Sequence, residues 1–541
     1  MATNETHTPN IRWWPLGVAL GVGAVLQTAA MLYFGENRPY LEWACVFVIW
    51  PLSLFLLLLW WAFWSRLLWQ IRGWGFVVLA VLVLLSLAVF RFDEFDGGMI
   101  PRFSLRWRPT LKDRASEFFK SVEAKRPETD TATTGTTDEA ASDSLIPTAG
   151  DWPAYRGPNR DDVVVGESLR ADWNSNPPKQ LWKHPIGSGW GTFAVIGRRA
   201  WTLEQRGDTE LCVCYEVETG RELWSHADSV RFSSPQGGVG PCSTPTVHDG
   251  KVFAQGGTGI LNCLDAATGR RVWTHNTVED AGTKNLEWGQ CGSPLIVGDL
   301  VIVNPGSNDD ASKDKQSAVI AYRCDTGEKV WSAGSGLGSY ASPQLALLNG
   351  EQQVLIYDGV GLTARSAKTG LPTWSFGWTN MPKVNASQPL IVDNQRVLIG
   401  SGYGQGSVLL EFQPSAGSEN AFVVREHWQS KQFKTKFNSA VRRGDFVYGL
   451  DDGLLTCLSL LDGKRRWKQG RYGYGQLTLV EDKLLILTEE GDVVLVSAMP
   501  DSPRELARFH AIEGKTWNHP VVSRGRLLVR NSDEAACFDL R

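Results

Sequence analysis

The side chains able to do chemistry in this sequence gather in eight short loops, and no established catalytic motif organises them. The loops read GSGWGTF, GPCSTP, LEWGQCGSP, GSYASP, PKVNASQP, FKTKFNSA, RYGYGQ and KTWNHP, and each leads into an apolar, strand-like run. They carry Trp190, Glu287, Trp288, Tyr340, Asn385, Gln388, Lys434, Lys436, Asn438, Tyr472, Tyr474, Gln476, Lys515, Trp517, Asn518 and His519. Rings beside amides and ammonium groups suit a ligand held by stacking and hydrogen bonds. Lys434, Lys436, Arg471, Lys515 and Lys383 face only Glu287 among the loop acids, so a small ligand here would be anionic. Glu287 is the one candidate general base.

Other chemistry is excluded quickly. There is no H-E-x-x-H, G-x-S-x-G or Walker A phrase, and IGSGYGQGSVLL around Gly402, Gly404 and Gly406 joins two apolar strands without leading into a helix, so it reads as a loop or bulge. Nine Cys include no C-x-x-C, and no paired His spacing completes a zinc site, so no metal is expected through sulfur. Cys214, Cys263, Cys457 and Cys537 occupy one repeated strand position that Ala321 and Ala364 fill elsewhere, the mark of a small buried slot. A net charge of -4 over 541 residues provides no basic field for nucleic acid.

The elements that must position these loops are strands. After residue 170 short β-branched and aliphatic runs alternate with turn residues. A phrase then recurs: CYEVETGRELW, CLDAATGRRVW, AYRCDTGEKVW, ARSAKTGLPTW and CLSLLDGKRRW. Thr-Gly or Asp-Gly supplies the positive φ of a tight hairpin, and Trp follows on the outer strand, where it docks between neighbouring units. Weaker copies extend the markers to Trp182, Trp224, Trp273, Trp331, Trp374, Trp428, Trp467 and Phe509, 39 to 58 residues apart, the period of a four-stranded blade with loop insertions. A second apolar hairpin accompanies each marker, which predicts an eight-bladed β-propeller with 24 Trp and 55 Gly to build it. The run Gln180–Ile186 lacks a partner before it and Ala535–Leu540 lacks one after it, so pairing them closes the ring.

Three apolar segments precede the propeller: 15–34, 41–64 and about 74–92, each long enough to span a bilayer core about 30 Å thick. Trp residues flank them as interfacial anchors, and apart from Glu42 and Arg91 at segment ends no Asp, Glu, Lys, Arg or His lies inside to suggest an ion path. The segment 1–108 therefore reads as a membrane anchor, 109–150 as a disordered linker rich in Thr, Ser, Asp, Glu and Ala, and 151–541 as the propeller. The arginines alone, Arg12, Arg66 and Arg72 on one side against Arg38, Arg91, Arg102, Arg106 and Arg108 on the other, favour a cytoplasmic propeller.

The A/C-x-D-x-x-T-G-x-x-x-W phrase resembles the repeat of the bacterial pyrroloquinoline-quinone (PQQ)-like propeller family, which includes BamB-like scaffolds and quinoprotein dehydrogenases. DWPAYRGPNRDD at 151–162 is similar to the opening of many of its members. The resemblance implies that the eight loops enclose the mouth of a central channel. It also implies a propeller outside the cytoplasmic (inner) membrane, against the arginine count, in a multi-pass protein with protein partners. Its enzymes use PQQ and calcium with a carboxylate base and commonly two adjacent Cys; this chain has no Cys-Cys and no Asp in those loops. The expectation is a non-catalytic interaction scaffold, with a propeller binding an anionic small molecule or glycan, and a PQQ-dependent dehydrogenase, as the alternatives.

Overall fold

The computed structural model describes residues 11–34, 41, 43–124, 145–306, 318–334, 336–414 and 422–541. The chain divides into two compact units, Met1–Thr110 and Leu111–Arg541.

In the first unit the helices Trp14–Phe34, Cys45–Trp64 and Trp69–Val89 are each long and apolar enough to cross a membrane. Trp60 Nε1 donates to Arg12 O (2.8 Å), and the Trp13 and Trp60 rings lie 6.0 Å apart, so indoles gather at one end of these helices. The third helix starts earlier than the expected residue 74 and stops short of residue 92. The cause is Phe90–Phe95, which pairs antiparallel with Pro101–Leu105 around a turn where Asp96 Oδ1 accepts Gly98 N (2.9 Å) and Ile100 N (2.8 Å).

The second unit begins with a helix, Leu111–Ala124, where the sequence suggested only flexible tether. Leu111, Ala115, Phe118 and Phe119 recur at helical spacing and form an apolar stripe. Phe118 stacks on His184 (5.5 Å, 8°), and the Arg206 guanidinium sits 4.2 Å from the Phe119 ring centre. The centre of the expected tether, 125–144, lies outside the described residues.

Eight blades of four antiparallel strands follow, spanning 194–228, 246–276, 295–333, 344–377, 390–430, 441–471, 476–510 and 521–539, the last completed by Lys179–Pro185 and the seventh extended by a fifth strand, Val163–Val164, parallel to Gln476–Val480. That completing strand pairs with Glu534–Asp539 from Glu534↔Pro185 to Asp539↔Lys179, so the ring closes as the two unpaired runs predicted.

Register explains the repeat. In each blade carrying the full phrase a small residue lies directly opposite the fourth-strand Trp: Cys214↔Trp224, Cys263↔Trp273, Ala321↔Trp331, Ala364↔Trp374 and Cys457↔Trp467, with Cys537↔Trp182 at the closure. The small side chain leaves room for the indole to cross to the next blade, and burial pushes the thiols of Cys263, Cys457 and Cys537 up to about 12. Trp182, Trp224, Trp273, Trp331 and Trp428 each donate Nε1–H to a carbonyl at the turn of the following blade: Val217 (2.7 Å), Ala266 (3.2 Å), Cys324 (3.1 Å), Ala367 (3.1 Å) and Leu460 (2.8 Å). Each indole also lies flat on the turn glycine of that blade, Gly220, Gly269, Gly327, Gly370 or Gly463, all at positive φ. Glycine is thus required twice, for the turn and for the ring that covers it.

These two requirements separate by mutation. Gly250→Ala, at φ +70 with open space around the missing β-carbon, is expected to cost about 1–2 kcal/mol of backbone strain. Gly269→Ala, where the new methyl would collide with Trp224, is expected to cost about 1–3 kcal/mol more. Denaturant unfolding of the two variants reads the difference, and equal losses would mean that the indole contributes nothing to the glycine requirement.

Candidate functional site

In blades one to six the axial loop ends in a polar residue that bonds to its neighbour. Thr244 Oγ1 accepts Thr192 N (3.0 Å), Ser293 Oγ accepts Thr244 N (2.9 Å), Ser342 Oγ accepts Ser293 N (2.9 Å), Gln388 Oε1 accepts Ser342 N (2.9 Å) and Ser439 Oγ accepts Gln388 N (3.0 Å). This girdle joins blades one to six around the axis, and the Pro that follows most of these residues fixes the chain as it turns into the strand.

The girdle decides which loop residues remain at the mouth. Gln388 belongs to it and also donates Nε2–H to Ser342 O (2.7 Å). Asn385 donates to Asp358 O and Trp378 O while accepting from Ser401, and Asn438 donates to Leu450 O (3.0 Å) while accepting from Lys436 N. Tyr472 turns to Glu505 (3.3 Å). Lys434 bridges Asp451 (3.0 Å) and Asp452 (3.1 Å), carboxylates from outside the loops. Burial opposes its charge, but the two aspartates outweigh burial and hold its ammonium above the usual range. The cationic excess expected from the loops alone is therefore smaller.

The remaining candidates converge. Trp190 and Trp517 lie 5.0 Å apart, with Lys515 Nζ 5.0 Å and 4.2 Å from their ring centres. Phe437 joins Trp517 at 4.9 Å and Tyr474 at 5.6 Å. Lys436 Nζ sits 4.9 Å from the Tyr474 ring and 5.2 Å from that of Tyr403. Trp288 and Tyr340 pair at 4.9 Å on the other side, and burial, with Glu287 and Tyr403 nearby, pushes the Tyr340 phenol up to about 12. Glu287 itself is exposed at the rim. Beneath the rings, Gln476 Nε2 donates to Phe437 O (3.3 Å) and Trp517 O (3.0 Å), and Asn518 Nδ2 donates to Gly189 O (3.2 Å) and Gly191 O (2.6 Å).

Three contributors were not singled out from sequence. Phe437 lies within a recognised loop. Tyr403 comes from the glycine-rich turn, and Glu489 from a second turn, where its carboxylate accepts Trp517 Nε1 (2.8 Å) and Tyr474 N (3.0 Å). A disulfide, Cys242–Cys291, ties the loops of blades two and three beside Trp288; its half-cystines are 49 residues apart in sequence and share no motif.

The channel is filled along its axis by the segment 151–162. It enters where the inner strands finish, with Ser523 Oγ donating to Gly150 O (2.8 Å), and reaches the residues that begin them. Trp152 exchanges backbone bonds with Val195 (2.7 and 2.8 Å), Pro153 O accepts Val247 N (2.8 Å), and Asp162 O accepts Leu479 N (2.8 Å). Arg160 donates to Pro294 O (2.8 Å) and Ser293 O (3.0 Å), Gln344 Nε2 to Asn159 O (3.4 Å), and Arg156 to Ala440 O (2.8 Å). His519, expected at the mouth, points down into this plug: its Nε2 lies 3.1 Å from Tyr155 Oη and its Nδ1 3.4 Å from Asp162, which also pairs with Arg156.

A calcium–quinone pair does not fit these residues. Asn385 and Asn438 spend their amides on backbone, Glu287 stands apart at the rim, and among the described residues no three His, Cys, Asp or Glu side chains come together as a metal site. A flat ring inserted between two others needs them about 7 Å apart, twice the ~3.5 Å contact distance. The mouth rings pair at 4.9 to 5.6 Å.

Burial pushes the Asp162 carboxyl up, but Arg156 and then His519 outweigh it and hold the group below the usual carboxylate range. The stability this contributes is complete above the unfolded value near 3.9 and is lost as pH falls through the lower folded value. Asp162→Asn is expected to cost about 3–5 kcal/mol at neutral pH, since Arg156 is left buried without its counter-charge, and to flatten the acid limb of the stability profile. Chemical denaturation across pH checks both.

A family profile described as outer membrane protein assembly factor BamB matches residues 173–309 and 283–469, more than half of the chain. Among solved structures the fold is similar to quinohemoprotein alcohol dehydrogenase from Comamonas testosteroni, at 14% identity and TM-score 0.50, covering 72% of this chain and 80% of that one. It is also similar to BamB from Moraxella catarrhalis, at 19% identity and TM-score 0.48 over 67% of this chain and 99% of that one. At these identities the likeness concerns the fold alone. No curated protein matches the chain in sequence.

Proposed function

We propose that this chain, which belongs to the family described as outer membrane protein assembly factor BamB, is a membrane-anchored, non-catalytic interaction scaffold that holds a partner against the mouth of its propeller. The observation that carries this reading is the packing of Trp190, Trp517, Phe437 and Tyr474 on one another, with Lys515 and Lys436 among them. Trp190, Phe437 and Trp517, each partly exposed, present a continuous apolar surface backed by the buried Tyr474 and Lys515, with Lys436 beside it, in place of a slot around a reacting atom. Aromatic residues with partial exposure and a polar tip suit such contacts.

The propeller is placed outside the cytoplasmic membrane in this reading, with the three helices in the membrane and the N-terminus inside. The disulfide Cys242–Cys291 supports it, because such bonds persist in oxidising compartments and are rare in the cytosol. Protein alkylated at the moment of cell lysis is expected to yield the Cys242–Cys291 peptides as an oxidised pair by mass spectrometry. Finding both thiols alkylated would put the propeller on the reducing side and overturn the location.

The scaffold reading is tested by a photo-crosslinking side chain placed at Tyr403 in the mouth or at the exposed Leu371 on an outer turn. A discrete adduct, polypeptide or polysaccharide, is expected from position 403 and none from 371. Dye reduction by protein mixed with PQQ and calcium, lost in Glu287→Gln, would replace the scaffold with an enzyme.

A further inference from the structure

The third apolar helix runs straight into a small sheet. At 1.5 Å per residue Trp69–Val89 is about 31 Å long, a length that one bilayer core about 30 Å thick uses up. Phe90 follows Val89 directly and opens the hairpin of Phe90–Phe95 and Pro101–Leu105. The hairpin then returns to the helix it left. Arg106 donates its backbone N–H to Val89 O (2.9 Å) and its Nε–H to Leu87 O (2.7 Å), capping carbonyls that the helix end leaves open. Both ends of the hairpin are thereby fixed at the level where the helix stops.

Register sorts its side chains onto two faces. Phe90↔Leu105, Phe92↔Phe103 and Phe95↔Pro101 lie on one, Arg91↔Ser104 and Glu94↔Arg102 on the other. A bulge at Asp93 makes this division possible, because strict alternation would place Glu94 on the Phe92 face and turn Phe95 away. Instead the Phe92 ring lies 4.9 Å from Phe95 and 6.0 Å from Phe103. On the opposite face Arg91 Nε donates to Asp93 Oδ1 (3.0 Å) and Ser104 Oγ (3.0 Å), and Ser104 Oγ donates to the same Asp93 oxygen (3.0 Å). The polar face is thus bonded within the hairpin, whereas Phe90, Phe92 and Phe103 stay 47%, 50% and 61% exposed. A lone two-stranded hairpin with an uncovered aromatic face is marginal in water.

We propose that this hairpin is a lipid-contact surface lying in the interfacial layer of the bilayer that the third helix crosses, with its phenylalanine face on the acyl boundary and its polar face toward water. Continuity with the span selects lipid over a protein partner. A face that starts one residue after a bilayer-long helix, and is tied back to that helix, meets headgroups and upper acyl chains before anything else. Trp107, 67% exposed just past the second strand, adds the indole that this depth favours. The inference reaches beyond the scaffold reading and shares with it only the membrane spans.

The test uses the full-length chain with a genetically encoded coumarin side chain in place of Phe92 or Phe103 on the apolar face, Ser104 on the polar face, Val78 at mid-helix, or Leu371 on an outer propeller turn. Each is reconstituted in phosphatidylcholine vesicles brominated either near the headgroup or near the acyl ends. Positions 92 and 103 are expected to lose most of their fluorescence to the shallow bromines and little to the deep ones. Position 78 is expected to show the reverse, and 104 and 371 little quenching by either. Quenching at 78 with 92 and 103 left bright overturns the proposal and leaves the spans standing. A bright position 78 overturns the spans as well. Equal quenching at 103 and 104 overturns the two-faced orientation and the proposal with it. In the unsubstituted chain in the same vesicles, the ladder amides of both strands are expected to exchange slowly with deuterium. Exchange there at the rate of an unstructured peptide overturns the proposal with no label in the hairpin.

Discussion

The propeller depends on one contact repeated around a ring: an indole laid over the turn glycine of the next blade, with its N–H bonded to a carbonyl of that same turn. In four of the five contacts the partner strand offers Cys or Ala opposite the Trp, Leu409 standing opposite Trp428, and in all five the following turn lacks a β-carbon. Three residues in two blades are thereby fixed together. Where the following blade lacks the Thr-Gly turn, the contact changes. Trp374 precedes blade five, which has no such phrase, and its Nε1 turns back to Gln353 of its own blade (2.7 Å) while its ring packs on Phe412 (4.4 Å). Phe509, with no N–H to give, packs between Trp173 and Phe538 instead.

Because the indoles fix the blades at their outer ends, the inner ends need a separate device, and the axial girdle supplies it. Small hydroxyls and one glutamine amide satisfy the backbone N–H of the preceding blade, so the girdle itself is polar without carrying charge. Blade seven departs from this pattern. Gln476 stands where the girdle residue would be and sends its amide upward to the carbonyls under Phe437 and Trp517, so the floor of the mouth is made by an exception to the rule that builds the wall.

The blades were legible in the sequence because the glycine, the small residue and the tryptophan that define them fall within eleven residues of one another, and a local phrase survives reading without coordinates. The ring closure was legible for the opposite reason, since an unmatched strand at each end leaves one solution. The site was legible only as a set of loops. Whether Asn385, Gln388 or Asn438 presents its amide at the mouth or spends it on backbone depends on the direction of a side chain, which composition does not encode. Lys434 seemed unpaired because its carboxylates, Asp451 and Asp452, come from a turn outside the axial loops. Tyr403 and Glu489 enter from such turns too, and the phrase at 151–162 was noticed for its likeness to other openings, with no hint that it fills the channel.

That plug gives the segment 151–162 an unusual mechanical position. Ahead of its first blade the polypeptide runs through a segment bonded to seven of the eight blades, through Val195, Val247, Ser293, Gln344, Ala440, Leu479 and His519. A pull on this segment itself is therefore shared among these attachments and loads the ring from its centre. Had the chain entered through an outermost strand, the same force would unzip one hydrogen-bonded edge at a time. Held at its axle, the ring shares a load on this segment while every blade remains paired.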